Sequence, residues 1–556
     1  MPLNTIKRTA RHLIDILAFH GVRRAVLSPG SRNTPLIMAF ERHPQISTVV
    51  AVDERTAAFA ALGMSMADGG APVALCCTSG TAPLNYAPAL AEAYYRGLPL
   101  IAVTADRPEE WIDQDDSQTI RQAGIFDNFV KTTVDLPVES DDPNRIWMTD
   151  RLVNEAVIAA LSPRRGPVQI NVRLDAPLAD EAEVEPEDIR HITRSHTVAD
   201  ASAPEGLRAV FAPDSKILIV AGFMQPGYDD RALKQLARHP NVVIMREAQS
   251  NLLHISPSIG NIDATLAATS KTERTDYAPD VVITLGGSLL SRYVKTWLRG
   301  LPHLKHICVS DFHRVVDPFR RLAGTVDSLS QLVDMIDQNG DSTADFKRFW
   351  LEKSAVAGRR AVGYADESPW SDFKAMELIM RSLPAGVNLQ VSNGTAIRYV
   401  QLFDYDGCRS VQCNRGVSGI DGCTSTAIGA AYVSPEPTVL ITGDMSCAYD
   451  IGALALNFIK PDFSIIVLNN GGGGIFRFIP STASLPELER CFVADVRLPL
   501  RQLAAGYGFR YLEADTPESL AGALSQMMHR DGRPVILNVR TPGDVSAEVL
   551  RNFFKH

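Results

Sequence analysis

The chain has 556 residues, several times the roughly 150 of an ordinary domain, so it must hold more than one hydrophobic core. Hydrophobic residues make up 45%, charged residues 21% and aromatic residues 7%, which excludes wholesale disorder, collagen and coiled coil. Lysine and arginine number 55 against 64 acids, and the net charge of -9 leaves no global basic surface for nucleic acid.

Lys7, Arg8 and Arg11 open the chain ahead of Leu13-Ile14-Asp15-Ile16-Leu17, where Asp15 breaks the apolar stretch a signal peptide would need. An amphipathic helix is expected there. The longest apolar runs, such as 98–105, are far shorter than the roughly 20 residues that cross a bilayer, so no membrane span is expected. Eight cysteines show no Cys-x-x-Cys spacing, and several sit in apolar runs as reduced thiols do. A cytoplasmic location follows as an expectation.

Short runs of Val, Ile and Leu then recur, each ending abruptly in a small or polar residue. They are Ala25-Val26-Leu27-Ser28, Ile101-Ala102-Val103-Thr104, Ile217-Leu218-Ile219-Val220, Val281-Val282-Ile283-Thr284, Val439-Leu440-Ile441-Thr442 and Ile465-Ile466-Val467-Leu468. Unalternated runs imply strands buried on both faces, as in parallel sheets. Helical stretches at 55–66, 87–96 and 519–529 lie between them, so the architecture predicted is α/β with repeated doubly wound parallel sheets.

Pro167-Val-Gln-Ile-Asn-Val-Arg173 recurs as Pro534-Val-Ile-Leu-Asn-Val-Arg540, each copy closing a segment of similar length. Two related domains are implied, with a third between them carrying strands near 217, 242, 281 and 307. The acidic stretch 181–187 and the turn cluster 337–342 read as linkers. The predicted domains are 1–182, 190–345 and 360–556.

Chemistry concentrates at strand ends. In the first domain, Ser28-Pro29-Gly30-Ser31-Arg32-Asn33-Thr34-Pro35 follows the first strand. Val49-Val50-Ala51-Val52 reads as a strand leading into Asp53-Glu54-Arg55, and Thr104-Ala105-Asp106-Arg107-Pro108 and Ser117-Gln118-x-x-Arg121-Gln122 come later. Glu54 opens an alanine-rich helix, where a carboxylate also suits the helix dipole. In the last domain, Asn393-Gly394-Thr395-Ala396-Ile397-Arg398 and Asn414-Arg415-Gly416-Val417-Ser418-Gly419-Ile420-Asp421-Gly422 add two arginines. Guanidinium forks gathered at such edges fit a polyanionic, carboxylate-bearing ligand. The pair His303 and His306 reads as surface residues, and the histidines offer no metal cluster.

Thr442-Gly443-Asp444-Met445 and, 26 residues after Asp444, Asn470 in Asn469-Asn470-Gly471-Gly472-Gly473-Gly474 each follow an apolar strand. Both loops then lie at the carboxyl edge of one parallel sheet, where such sheets bind ligands. A carboxylate, an amide oxygen and a carbonyl are hard ligands for magnesium, and successive glycines let backbone approach a phosphate. A metal-diphosphate site is the expectation.

The Gly-Asp and Asn-Asn pair resembles the thiamine-diphosphate signature. Pro-Gly-Ser-Arg-x-Thr-Pro, Asp-Glu-Arg, Thr-Ser-Gly-Thr, Thr-Ala-Asp-Arg-Pro, Ile-Arg-Gln, Asn-Arg-Gly-x-Ser-Gly-Ile-Asp-Gly and Gly-Gly-x-Ile-Phe stand in the order found in one family. The chain thereby resembles the 2-succinyl-5-enolpyruvyl-6-hydroxy-3-cyclohexene-1-carboxylate synthases of menaquinone biosynthesis, from about residue 8 to 540. The resemblance implies three domains of the thiamine-diphosphate enzyme type. It also implies decarboxylation of 2-oxoglutarate on the cofactor and 1,4-addition of the resulting succinyl semialdehyde carbanion to isochorismate.

Carried over by position, Glu54 bonds the aminopyrimidine and promotes loss of the thiazolium C2 proton. Ser31, Arg32, Arg107, Gln118, Arg292, Arg398 and Arg415 hold substrate. Asp444, Asn470 and the carbonyl of Gly472 ligate magnesium or manganese. Gly394, Ser418, Gly443, Met445, Ser446 and Gly474 contact the cofactor, Ile420 is the wedge beneath it, and Ile475, Phe476 and Ile479 form an apolar wall. The family reading further implies a homodimer or homotetramer, with Glu54 and Asp444 in domains that meet across a subunit interface. Gly394, Ser117 and Tyr293 depart from the family pattern and leave the finer substrate contacts open. An acetohydroxyacid-synthase-like or decarboxylating enzyme and a non-catalytic ligand sensor remain the alternatives.

Overall fold

The computed structural model describes residues 3–162, 164–185, 187–194, 205–212, 214–228, 230–310, 315–337, 344–529 and 531–555. The chain divides into two compact units. One comprises residues 1–197, 416–435 and 450–460, and the other comprises 198–415, 436–449 and 461–556.

In the first unit β1 (Leu3–Thr5) and β8 (Glu181–Glu183) pair antiparallel, so the acidic stretch expected as a linker begins as a short strand. The main sheet is built from β2 (Arg24–Leu27), β3 (Ser47–Val50), β4 (Val73–Cys77), β5 (Leu100–Asp106), β6 (Thr133–Leu136) and β7 (Val168–Arg173). These six strands are parallel in the order β3-β2-β4-β5-β7-β6. β4 and β5 are buried at every position, as unalternated apolar runs require, whereas the edge strand β3 is not. β3 ends at Val50, two residues before the predicted end, and Val52 is 77% exposed. The opening helix Arg8–Phe19 lays its apolar face on this sheet with Leu13, Ile14 and Leu17 fully buried.

The second unit contains two sheets. β9 (Ile217–Ala221), β10 (Val242–Arg246), β11 (Val281–Leu285), β12 (Lys305–Val309) and β13 (Leu322–Val326) form a parallel sheet in the order β10-β9-β11-β12-β13. β14 (Asn388–Val391), β15 (Ser410–Gln412), β16 (Thr438–Gly443), β17 (Ser464–Asn469), β18 (Arg510–Ala514) and β19 (Val535–Arg540) form the other, in the order β15-β14-β16-β17-β19-β18. That order repeats the winding of the first six-stranded sheet strand for strand. The sequence echo falls on β7 and β19, which hold the same place in the two sheets. An aromatic cluster of Phe373, Tyr399 and Phe553 closes one face of the last sheet.

Two expectations change in this unit. His306 is fully buried, not at the surface: β12 turns its ring inward, where Nε2 pairs with the Thr284 hydroxyl at 2.8 Å. Burial outweighs the Asp317 carboxylate, 3.6 Å from Nδ1, and holds the pKa down at about 4, so the ring is neutral. His303 is exposed as expected. The turn cluster 337–342 lies outside the described residues beyond Asp337, which ends the helix Ser330–Asp337. Among the described residues no helix is long and apolar enough to cross a membrane.

Candidate active site

Asp444 and Asn470 meet because β16 and β17 are parallel neighbours with Gly443 opposite Leu468. Each strand delivers its next residue to the same sheet edge. Asp444 opens the helix Asp444–Tyr449, and its Oδ1 accepts the Met445 N–H at 2.7 Å. Its Oδ2 accepts the N–H groups of Gly471 at 2.9 Å and Gly472 at 2.8 Å. Burial outweighs these donors and raises its pKa to about 6.

The glycines here are required by geometry. Gly471 and Gly472 have φ of +87° and +123°, and a Cβ on Gly472 would stand 2.2 Å from the Val493 carbonyl oxygen. A Cβ on Gly474 would stand 2.8 Å from Nδ2 of Asn470. Asn470 is buried; its Nδ2 donates to Oδ2 of Asp372 at 2.7 Å, and its Oδ1 has no hydrogen-bond partner among the described residues. The Gly472 carbonyl accepts one bond, from the Gly474 N–H at 2.8 Å, and keeps a second lone pair. An orphaned amide oxygen, a carboxylate with spare lone pairs and a half-used carbonyl make a hard-oxygen set, so the residues fit a magnesium or manganese ion. Among the described residues no cluster of three His, Cys, Asp or Glu offers an alternative metal site.

Close by in sequence, Ile475, Phe476 and Ile479 are half-buried, on or just after the helix Gly474–Phe478, which has no fully buried residue although Phe478 packs against the core. They are therefore an accessible apolar surface. Ser446 is buried, Met445 is half-buried, and Gly394 has φ of +101° at the start of the helix Thr395–Val400.

The same unit gathers three of the predicted arginines. Arg415 is 9% exposed and its Nη1 donates to Oδ1 of Asn393 at 3.0 Å, while Arg398 donates to the Gly394 carbonyl. Burial and then the charge of Arg415 lower the Arg398 pKa, and Arg292 adds to the effect. Like charges held together this way favour an anionic ligand. Arg292 starts the helix Arg292–Arg299, and the loop before it is tied down from several sides. Ser288 donates its hydroxyl to the Arg415 carbonyl at 3.0 Å, and Lys295 donates to the Leu289 carbonyl at 2.9 Å. Glu247, wholly buried, accepts the N–H groups of Leu290 and Ser291, both at 2.8 Å. Glu247 and Asp372 escaped the sequence reading, and Asn393 was quoted there without a role, since each acts on residues distant in the chain.

In the first unit Glu54 is the first residue of the helix Glu54–Ala67. Asp53 caps that helix by accepting the N–H groups of Arg55 at 2.9 Å and Thr56 at 3.3 Å. Glu54 is half-buried, and desolvation raises its pKa, with the neighbouring Asp53 charge adding to the rise. The helix is held by a close crossing with the helix Cys423–Val433. A Cβ on Gly63 would stand 1.9 Å from the Thr426 carbonyl oxygen, and one on Gly429 would stand 1.9 Å from that of Ala60. Ser418, with φ of +67°, and half-buried Ile420 lie just ahead of that second helix.

Ser31 is exposed, and Arg32 donates to the Leu174 carbonyl at 2.8 Å. Burial, followed by the charge of Arg107, lowers the Arg32 pKa. Arg107 donates to the Ser117 carbonyl at 2.8 Å and pairs with Asp116 at 3.2 Å. Gln118 takes a left-handed φ of +55° against Gly80. Arg121, in contrast, has a side chain 85% exposed and paired with Asp113, apart from the Arg32 and Arg107 pair. Its neighbour Gln122 is the buried bracket. Nε2 donates to the Ala105 carbonyl and to Oδ1 of Asn171, both at 2.9 Å, and Oε1 accepts the Gly80 N–H at 3.3 Å.

Comparison with known proteins matches two stretches of the chain to families. Residues 7–125 match the thiamine pyrophosphate enzyme N-terminal TPP binding domain, and residues 394–539 match the C-terminal TPP binding domain. The chain is 39% identical over 99% of its length to a Porphyromonas gingivalis protein, covering 97% of that protein. It is 38% identical to a Flavobacterium psychrophilum protein over 98% of each chain. Against a Bacteroides fragilis protein it is 33% identical, over 99% of this chain and 98% of the other. All three are named 2-succinyl-5-enolpyruvyl-6-hydroxy-3-cyclohexene-1-carboxylate synthase.

Proposed function

The chain belongs to the 2-succinyl-5-enolpyruvyl-6-hydroxy-3-cyclohexene-1-carboxylate synthase family and is a thiamine-diphosphate-dependent synthase, and we propose that its donor is 2-oxoglutarate and its acceptor isochorismate. The observation that carries the substrate reading is the pair of arginine groups, Arg32 with Arg107 and Arg292 with Arg398 and Arg415. Each lies in a part of the chain matched to cofactor binding or beside it, and a donor and acceptor that both bear carboxylates need such cations.

When bound, the cofactor would supply a carbon nucleophile and an electron sink for decarboxylation of a 2-oxo acid. Asp444, Asn470 and the Gly472 carbonyl would hold magnesium or manganese, and the Gly471 to Gly474 backbone would let the diphosphate approach closely. Glu54, whose pKa is raised by burial, shares a proton with the aminopyrimidine nitrogen and so promotes deprotonation of the reactive carbon. Gly394, Ser418, Gly443, Met445, Ser446 and Gly474 line the cofactor, and Ile420 supports it. Ile475, Phe476 and Ile479, half-buried and apolar, would exclude water from the bound cofactor. Ser31 and Gln118 hydrogen-bond substrate hydroxyl and carboxyl groups.

The working assembly in this proposal is a homo-oligomer, a dimer at the least, acting in the cytoplasm. A panel of 2-oxo acids offered with isochorismate tests the donor: 2-oxoglutarate should exceed pyruvate, and the reverse order would refute the assignment.

A further inference from the structure

An amide can serve a cation in only one orientation: its oxygen supplies lone pairs, whereas its NH2 group turned inward presents hydrogen. Whatever fixes the Asn470 amide therefore decides whether the proposed metal site exists. The Nδ2 atom donates to Oδ2 of Asp372 at 2.7 Å, which leaves Oδ1 buried and unpartnered among the described residues. Asp372 is itself held. Its Oδ1 accepts the Thr541 hydroxyl at 2.5 Å, its backbone N–H donates to the Ser546 hydroxyl at 2.9 Å, and the residue is 1% exposed. Two donors converging on the carboxylate, one per oxygen, give it an acceptor role toward both. Such an acceptor takes the NH2 group of Asn470 and rejects its oxygen.

The bracket stands on the strands that build the site. Asn470 follows β17, Thr541 follows the neighbouring β19, and the Thr541 N–H donates to the Asn469 carbonyl at 3.1 Å. Asp372 opens the helix Asp372–Ser382, whose cap Ser371 fixes the approach of the carboxylate. A hydrophobic residue of similar size at 372 would fill the space but leave the amide free to turn.

We infer that Asp372 is a positioning residue that locks the Asn470 amide with its oxygen toward the metal. The inference rests on the ligand set proposed above. It does not make Asp372 a ligand: the residue acts through the Asn470 amide that its Oδ2 accepts, while Thr541 holds its other oxygen.

The test is an exchange of partners read by metal binding. In Asp372→Asn the Thr541 hydroxyl still donates to the side-chain oxygen, so the new NH2 group faces position 470. The Asn470 amide then turns to accept it and points its own NH2 at the metal. With thiamine diphosphate saturating, Mn2+ affinity, measured from the electron paramagnetic resonance signal of the free ion, should weaken about 10- to 100-fold, the usual effect of losing an outer-shell partner. The double variant Asp372→Asn with Asn470→Asp restores one amide and one carboxylate at the pair, now exchanged. It should recover most of the lost affinity, which a merely destabilised fold would not do. Unchanged Mn2+ affinity in the single variant, or no recovery in the exchanged one, overturns the inference. Asp444→Ala run alongside separates the two ideas: wild-type Mn2+ affinity there would remove the ligand set itself.

Discussion

The Gly472 N–H donates to Oδ2 of Asp444 at 2.8 Å, and the Gly471 N–H reaches the same oxygen at 2.9 Å. The acid therefore shapes the glycine loop besides being the proposed cation ligand. Asp444→Ala removes both roles. Calorimetric titration of the variant with thiamine diphosphate and magnesium should show affinity reduced at least about tenfold, as expected when charge-assisted hydrogen bonds and a ligand are lost together; unchanged retention would contradict the assignment.

Glu54→Gln keeps the size of the side chain and removes its ionisation. Loss of a positioned acid-base group costs about 10²- to 10⁴-fold in rate, and kcat should fall within that range. The magnesium-diphosphate site is untouched, so the dissociation constant for thiamine diphosphate should change only a few-fold. Turnover at the wild-type rate would show that Glu54 does not handle the proton.

The close crossing of the helices Glu54–Ala67 and Cys423–Val433 leaves no room for side chains at Gly63 and Gly429. Gly429→Val pushes backbone against backbone, because the obstructing atom is the Ala60 carbonyl oxygen. Overpacking of this kind costs about 1–3 kcal/mol. The melting temperature should drop, and a second loss, in turnover, should follow displacement of Glu54 at the head of the first helix. A variant as stable as wild type would mean that the crossing opens without cost.

Glu247 has its pKa raised by burial from 4.5 to about 7, against the N–H groups of Leu290 and Ser291 and the charge of Arg415 that favour its anion. The folded state thus binds its proton more tightly than the unfolded chain. The stabilising contribution is complete below about pH 4.5 and is lost as pH rises through about 7, a change of roughly 3 kcal/mol for this group. Thermal stability should therefore fall as pH rises between about 4.5 and 7, and Glu247→Gln should flatten that dependence. Parallel curves for the two proteins would argue that Glu247 does not titrate in this range.

Much of the fold was legible because buried parallel strands announce themselves as short unalternated apolar runs. The repeat at 167–173 and 534–540 proved to be β7 and β19, in equivalent places of two sheets wound alike. The catalytic candidates were legible where a motif sits at a strand end, as for Glu54, Asp444 and Asn470. Partners supplied by distant segments were not. Asp372 lies 98 positions from Asn470, and Glu247 reaches Leu290 across 43, so spacing carries no sign of either pairing. His306 was misplaced at the surface because a histidine in a polar-looking stretch gives no hint that β12 turns it inward. In the stretch quoted around Gln118, Arg121 carries an exposed side chain paired with Asp113, while Gln122 does the bracing.

The most direct measurement of the central claim is stoichiometric turnover. Purified protein with thiamine diphosphate, magnesium, 2-oxoglutarate and isochorismate should release one carbon dioxide for each isochorismate consumed, and omission of either the cofactor or the acceptor should abolish formation of the coupled product. Carbon dioxide release that proceeds without isochorismate consumption, or no reaction at all, would contradict the account.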